Sequence, residues 1–240
     1  MSPQWLMVFA MYAALSLKRL AQILLWPFGI ILLVLIAVNG APGDSRAAFK
    51  LIGSALTCWG VLIYVVFGFS GRFAIWRGIW WLVPSLNRSV FPDLNGTWTG
   101  TTSSNWPVIA TMLDAAEGGG GIDRGALPTV PLQEDGVTMT IVASLFTFRI
   151  SAVLDRTGGK SYSLTERVTH EKRRNVHELY YVYRQETPQP VATDDDSHIG
   201  AASLIVDTAA WTLDGPYWTR RSWRSGLNTA GIIEVVRQRR

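Results

Sequence analysis

The chain has 240 residues, 48% of them hydrophobic and 17% charged, with a formal net charge of +4; that is enough for apolar segments plus one modest folded domain. Residues 1–90 carry seven lysines and arginines against one acid, Asp44, while residues 91–240 carry 15 against 17, so the larger part lacks the positive excess that a nucleic-acid polymer would require. The one cysteine, Cys58, excludes an intrachain disulfide and a cysteine-based zinc site, and a distal domain without cysteine fits a reducing compartment.

Near the start, Trp5–Leu17 is apolar and is followed by Lys18–Arg19. A cleaved signal peptide has the reverse order, so residues 4–17 read as an interfacial helix or an upstream extension of the next apolar run. Two uncharged runs come next, Leu20–Val38 and Leu51–Phe69. As helices each spans roughly 28 Å, near the thickness of a bilayer's hydrocarbon core. Between them Asn39–Lys50 contains Gly40, Pro42 and Gly43, which turn chains, so the pair reads as a transmembrane hairpin over residues 20–69. Lys18, Arg19, Arg72, Arg77 and Arg88 flank the hairpin, whereas its loop holds Arg46 and Lys50 beside Asp44. By the positive-inside rule both termini are expected in the cytoplasm. Pro27 is expected to kink the first span. Gly53, Gly60 and Gly68 recur near one face of the second, where small residues permit close helix contact, within the chain or between copies. Residues 70–91 mix Trp76, Trp80 and Trp81 with arginines, which predicts a juxtamembrane helix at the headgroup level, ending near Pro84.

From Pro92 onward short alternating runs predict strands at 96–102, 106–112, 137–143, 145–154, 160–168, 176–184, 199–207, 211–223 and 230–237, with almost no helix. Asp155–Gly159 reads as a hairpin turn. The segments Asp114–Glu134 and Glu186–Ser197 read as a mobile Gly-rich loop and a solvated acidic loop. The simplest closure for residues 92–240 is a small antiparallel up-and-down β-barrel of about eight strands, with a sandwich as the alternative. At that size the interior is filled by side chains or holds one small ligand.

The chemistry-bearing stretches are few. Gly158-Gly159-Lys160-Ser161 lacks the upstream glycine of a phosphate loop, because Leu154 stands there, and it joins strands rather than opening a helix. His170, His177 and His198 stand in no metal-ligand spacing, and no nucleophile elbow is present. No enzyme activity, metal or cofactor is therefore expected. The densest cluster is Tyr217, Trp218, Thr219, Arg220, Arg221, Asn228 and Thr229, with Trp98, Asn105 and Trp106 at the other end of the domain's sequence. Aromatics stack on bases, arginine forks onto phosphates and small polar side chains read base edges. First and last strands of a closed barrel are neighbours, so these groups could converge; alternatively the rings plug the barrel and the arginines face water. Consecutive strand residues point to opposite faces, so one of Tyr217 and Trp218, and one of Arg220 and Arg221, is expected to line an interior.

Taken in order, the chain resembles the two-transmembrane β-barrel effectors of CBASS, cyclic-oligonucleotide-based antiphage signalling, which are associated with CD-NTase enzymes. The resemblance is carried by the two apolar runs, Leu94-Asn95-Gly96-Thr97-Trp98-Thr99-Gly100, Phe146-Thr147-Phe148-Arg149-Ile150, Ser161 and Ser163, Leu179-Tyr180-Tyr181-Val182-Tyr183, His198-Ile199-Gly200 and the Gly215–Gly231 stretch. Arg221 matches the family's arginine, whereas Arg220 stands where the family has a small polar residue. The resemblance implies a partner CD-NTase that makes a cyclic dinucleotide on infection. It also implies a cytoplasmic barrel that binds this ligand, ligand-driven self-association, and hairpins that then disrupt the bacterial inner membrane. A packed scaffold barrel and a lipocalin-like carrier of an apolar molecule are the competing readings.

Overall fold

The computed structural model describes residues 17–67, 75–144, 148–171, 173–188, 190 and 195–238. The expected interfacial segment at 4–16, Gly68, the start of the juxtamembrane stretch at 70–74, residues 145–147 and Asp194 lie outside the described residues. The chain divides into a helical unit, which extends through Asp93 and takes in Ala143 and Ser144, and a barrel unit of Leu94–Val142 and the described residues from Phe148 onward.

In the helical unit, α1 spans Leu17–Asn39 and α2 spans Ser45–Phe67. Gly40 ends α1 at φ +82°, a left-handed position that glycine takes without Cβ strain. Its N–H reaches back to the Ile36 carbonyl at 2.8 Å. The Asp44 carboxylate then accepts the Ala47 N–H at 2.7 Å and caps the start of α2. The helix consequently begins earlier than its uncharged run, taking in Arg46 and Lys50, which the sequence pattern places in the link. The helix α1 continues through Pro27 without a break. Trp59 of α2 donates its indole N–H to the Leu24 carbonyl at 2.6 Å and meets Phe28 edge-on, ring centroids 6.3 Å apart. Among the described residues α2, over Ser45–Val66, is long and apolar enough to cross a membrane; the apolar part of α1, Leu24–Asn39, is shorter. A Cβ placed on Gly53 or Gly60 would meet nothing within 4 Å, so these glycines do not mediate the packing of α1 on α2.

The juxtamembrane stretch forms two short helices, α3 (Ile75–Leu82) and α4 (Leu86–Ser89), separated at Pro84. Trp76 and Trp80 are buried, T-shaped at 5.2 Å, and the Trp80 indole donates to the Phe91 carbonyl at 2.6 Å. Arg77 bonds Asp93 at 3.0 Å. The expectation of three tryptophans at the headgroup level is thus corrected: two hold this segment together, and Trp81, 80% exposed, is the outward one.

The barrel unit is an eight-stranded, closed, antiparallel up-and-down barrel in the order β1 to β8. Its strands are β1 (Gly96–Ser104), β2 (Gln133–Ala143), β3 (Phe148–Leu154), β4 (Lys160–Glu171), β5 (Val176–Glu186), β6 (Ser197–Asp207), β7 (Thr212–Arg220) and β8 (Ala230–Arg237). Closure comes from β1 pairing with β8, with Thr101 opposite Glu234. One expected strand is a helix: Trp106–Glu117 forms α5. Its β-branched and aromatic residues suggested a strand, but Pro107 in the first turn costs no hydrogen bond there and presets the helical φ. The Gly-rich insertion is correspondingly shorter than expected, since α5 takes its start and a 3-10 turn at Leu127–Thr129 precedes β2.

Strand alternation sends Trp98, Met139, Leu179, Leu204, Leu213 and Val235 inward, all at 1% exposure or less. They fill one end of the barrel. Trp98 donates its indole N–H to the Leu94 carbonyl at 3.0 Å. The Arg237 guanidinium lies 5.9 Å from the Trp98 ring centroid and 4.6 Å from that of Trp211.

Candidate functional site

The same inward positions, followed along the strands to the opposite end, mix polar side chains with Val137, Met139, Ala152, Leu154 and Ile233 and enclose a cavity of about 120 Å³. Its wall includes Tyr181, Tyr183 and Gln185 of β5, Tyr217 and Thr219 of β7, and Asp135 of β2. Arg156, from the β3–β4 turn, and Arg221, just past β7, are the two cations in the lining, with His198 beside them.

Glycines create the space for two of the tyrosines. Gly200 stands opposite Tyr183 across β5 and β6, and a Cβ there would collide with the Tyr183 ring. Gly231 stands opposite Tyr217 across β7 and β8, where a Cβ would press on the Tyr217 ring and the Ser103 carbonyl. Burial pushes the phenols of Tyr181 and Tyr183 up from their ordinary value. It does the same to Tyr217, partly offset by its hydrogen bond with Ser104 and by nearby Arg221. All three are therefore neutral O–H groups at physiological pH, able to donate to an anion without opposing its charge.

The rim is braced by its own polar groups. Asp135 accepts the Arg156 N–H at 2.9 Å, and its other carboxylate oxygen lies 3.8 Å from the Arg156 guanidinium. The Thr219 and Thr229 hydroxyls are 2.9 Å apart, and the Thr219 N–H donates to the Thr229 carbonyl at 2.9 Å, tying β7 to β8. The Arg221 guanidinium sits 5.3 Å from the Trp106 ring centroid, a cation–π distance. Ser222, in left-handed conformation at φ +37°, donates its N–H and its hydroxyl to Asp195 at 2.8 and 2.5 Å. Those bonds hold the Asp195 carboxyl below its ordinary value. The acidic loop is thus clasped to the β7–β8 loop at Asp195, where the sequence suggested only solvation.

Of the residues singled out from sequence, Tyr217, Thr219, Arg221 and Thr229 line the cavity. Trp106 approaches it through Arg221. Trp218 and Arg220 point outward and are exposed, and Asn228 is exposed. Asn105 is spent on structure: its side chain accepts the Ala230 N–H at 2.9 Å, sealing β1 to β8. Trp98 belongs to the packed end. Sequence reasoning missed Arg156 because it sits in a segment read as a bare turn. It missed Gln133, Asp135 and Gln185 because single polar residues near strand ends look solvated. The Tyr181/Tyr183 pair carried a usable signal, two rings spaced by two in a strand whose alternate positions differ.

No group of three His, Cys, Asp or Glu side chains among the described residues is arranged to hold a metal ion.

No protein-family description matches the chain. It is 26% identical over 194 residues to CD-NTase-associated protein 15 of Escherichia albertii, an alignment covering 80% of this chain and 83% of that protein.

Proposed function

We propose that the chain is a membrane-associated effector whose barrel receives a cyclic dinucleotide, the product of a partner CD-NTase. It works as a receptor and not as an enzyme. One observation carries the reading: a barrel interior packed mostly with apolar side chains holds, at one end, a cavity with three neutral tyrosines and two arginines. Aromatic faces suit bases and guanidinium groups suit phosphates. Similarity to a CD-NTase-associated protein supports the choice of ligand. An interior cavity counts against a solid-packed scaffold, and the two arginines in its lining count against a carrier of apolar molecules.

At about 120 Å³ the cavity compares with engineered cavities of ~150 Å³ that admit a single aromatic ring. A cyclic dinucleotide would bury one base and move the rim, with Arg156 and Arg221 turning onto its phosphates. A ligand that binds only the opened rim shifts the population toward that state. In our reading the opened state favours self-association, and α1 and α2 act together as a hairpin that disrupts the inner membrane, with both termini and the barrel in the cytoplasm.

The direct test is isothermal titration of the full chain in detergent with a panel of cyclic dinucleotides. One member should bind, and Arg221→Ala should weaken it at least tenfold. Binding of none would overturn the proposal. For the membrane step, Gly60→Leu should reduce toxicity in cells without altering nucleotide affinity. Since a Cβ on Gly60 would meet nothing within 4 Å among the described residues, a lowered toxicity would report on contacts between copies, and unchanged toxicity would remove Gly60 from them.

A further inference from the structure

The outer face of β7 is unusual for a barrel wall. Asp214, Pro216, Trp218 and Arg220 alternate along it, all exposed. Trp218 is 50% exposed and is flanked across the strands by Ala201 and Ala230, with Ile232 opposite Pro216. Toward the cavity end this apolar strip meets a basic row, Arg220, Ile199 and Arg184, on β7, β6 and β5. Toward the packed end it meets an acidic row, Glu234, Asp214, Ile205 and Glu178, running from β8 to β5.

Two features make this wall incomplete in a single chain. Asp214 and Glu234 stand directly opposite each other, and like charges so placed are destabilising. Among the described residues neither takes part in an ion pair. Pro216, with no N–H, forgoes a ladder hydrogen bond in a strand that has neighbours on both sides, while presenting a flat ring beside Trp218.

We infer that this wall pairs with the same wall of a second copy, about a two-fold axis lying across the strands between Trp218 and Pro216. The pattern is self-complementary about that line. Arg220 and Asp214 lie equally far on either side of it, roughly 20 Å apart along the strand. The rotation sets Arg220 over Asp214 of the other copy, Trp218 over Pro216 and Ile199 over Ile205, while Glu178, on the side of the barrel that curves away, is already paired with Arg174 and Tyr180. Each contact then occurs twice, as an isologous interface requires. Charge order selects a second copy of this chain as the occupant: a purely apolar or purely anionic partner would satisfy only part of the strip. The pairing is independent of which ligand fills the cavity.

The test uses the full chain carrying Cys58→Ser and Ala201→Cys, reconstituted in phosphatidylcholine vesicles and treated with a short bis-maleimide cross-linker, whose reach spans two facing sheets where a disulfide would not, with or without a cyclic dinucleotide. A covalent dimer is expected on a denaturing gel. Adding Arg220→Glu should cut its yield at least fivefold, and adding Asp214→Arg to that chain should restore it to within twofold, which misfolding could not do. Absence of the dimer, indifference to Arg220→Glu, or failure of the restoring substitution would each overturn the inference. So would an Ala201→Cys thiol that does not cross-link yet is shielded from labelling by vesicles, which would put lipid on the wall. Nucleotide affinity of Asp214→Arg, measured in parallel, should equal that of the unaltered chain. Loss of cross-linking with binding intact defeats this inference alone, and loss of binding with cross-linking intact defeats the receptor reading alone.

Discussion

The barrel has two interior ends made by the same eight strands with the same inward alternation, and they differ in kind. At one end Trp98, Leu179, Leu204, Leu213 and Val235 exclude solvent almost completely, and Met139 marks where the packed part meets the cavity. At the other, Asp135, Gln185, Thr219 and Arg221 face each other across a cavity. Alternation settles which side of a strand a residue occupies. Whether that side is core or site is settled by residue identity along the strand, and the switch falls midway. The packed end can therefore supply the stability that lets the other end remain hollow, at the cost of polar groups that must find partners in each other.

The sharpest way to break this division is Trp98→Ala. Loss of a fully buried indole should cost about 3–5 kcal/mol, seen as a lowered thermal midpoint of the barrel. A cost below about 1 kcal/mol would show that the packed end is not what carries the fold.

A second lever, also at the packed end, is pH. His177 is buried and stacks on His170 at 4.7 Å. Burial, with the charge of His170 a smaller cause, pushes its imidazole down to about 4. Among the described residues its Nε2 has no hydrogen-bond partner. The unfolded chain takes up this proton near its ordinary value of 6.5, before the folded chain does. Stability from this group is thus complete above that pH and falls as pH drops from about 6.5 toward 4, by up to about 3 kcal/mol. Denaturant midpoints measured across that window should decline in the native chain and decline less in His177→Phe.

Gly200→Ala tests the boundary between the ends. Its Cβ must displace the Tyr183 ring, so a stability loss of about 1–3 kcal/mol is expected, together with weaker nucleotide binding by titration. The smallest stability effect belongs to Arg221→Gln at the hollow end, about 1 kcal/mol from the lost contact with Trp106. Its main effect should appear in ligand affinity. If Arg221→Gln destabilised the barrel as much as Trp98→Ala, the contrast between packed and hollow ends would collapse.

Much of this architecture is legible in the sequence. The final strand at Ala230–Arg237 and the alternating run ending at Leu154 follow directly from period-two patterning, and the opposite facing of Tyr217 and Trp218 follows from strand geometry. The helix at Trp106–Glu117 is not legible as such, because Trp, Val and Ile favour strands and only Pro107 hints otherwise. The span Ser45–Phe67 begins earlier than its apolar run because a capping aspartate, not hydropathy, sets a helix start. At the site, Arg221 stands out by its neighbours. Arg156 and Asp135 do not, since they meet only after β2 and the β3–β4 turn are brought side by side, a long-range pairing that no local pattern encodes.

The Asp195–Ser222 clasp makes two loops into one moving part. Ser222 follows Arg221 without an intervening residue, so under the proposed function a guanidinium drawn toward a phosphate would pull on a residue already bonded to Asp195. Because the carboxylate in that clasp keeps its charge well into acid, it does not release under mild acidification. In the receptor reading, occupancy inside the barrel would therefore be felt at Asp195 as well as at Ser222.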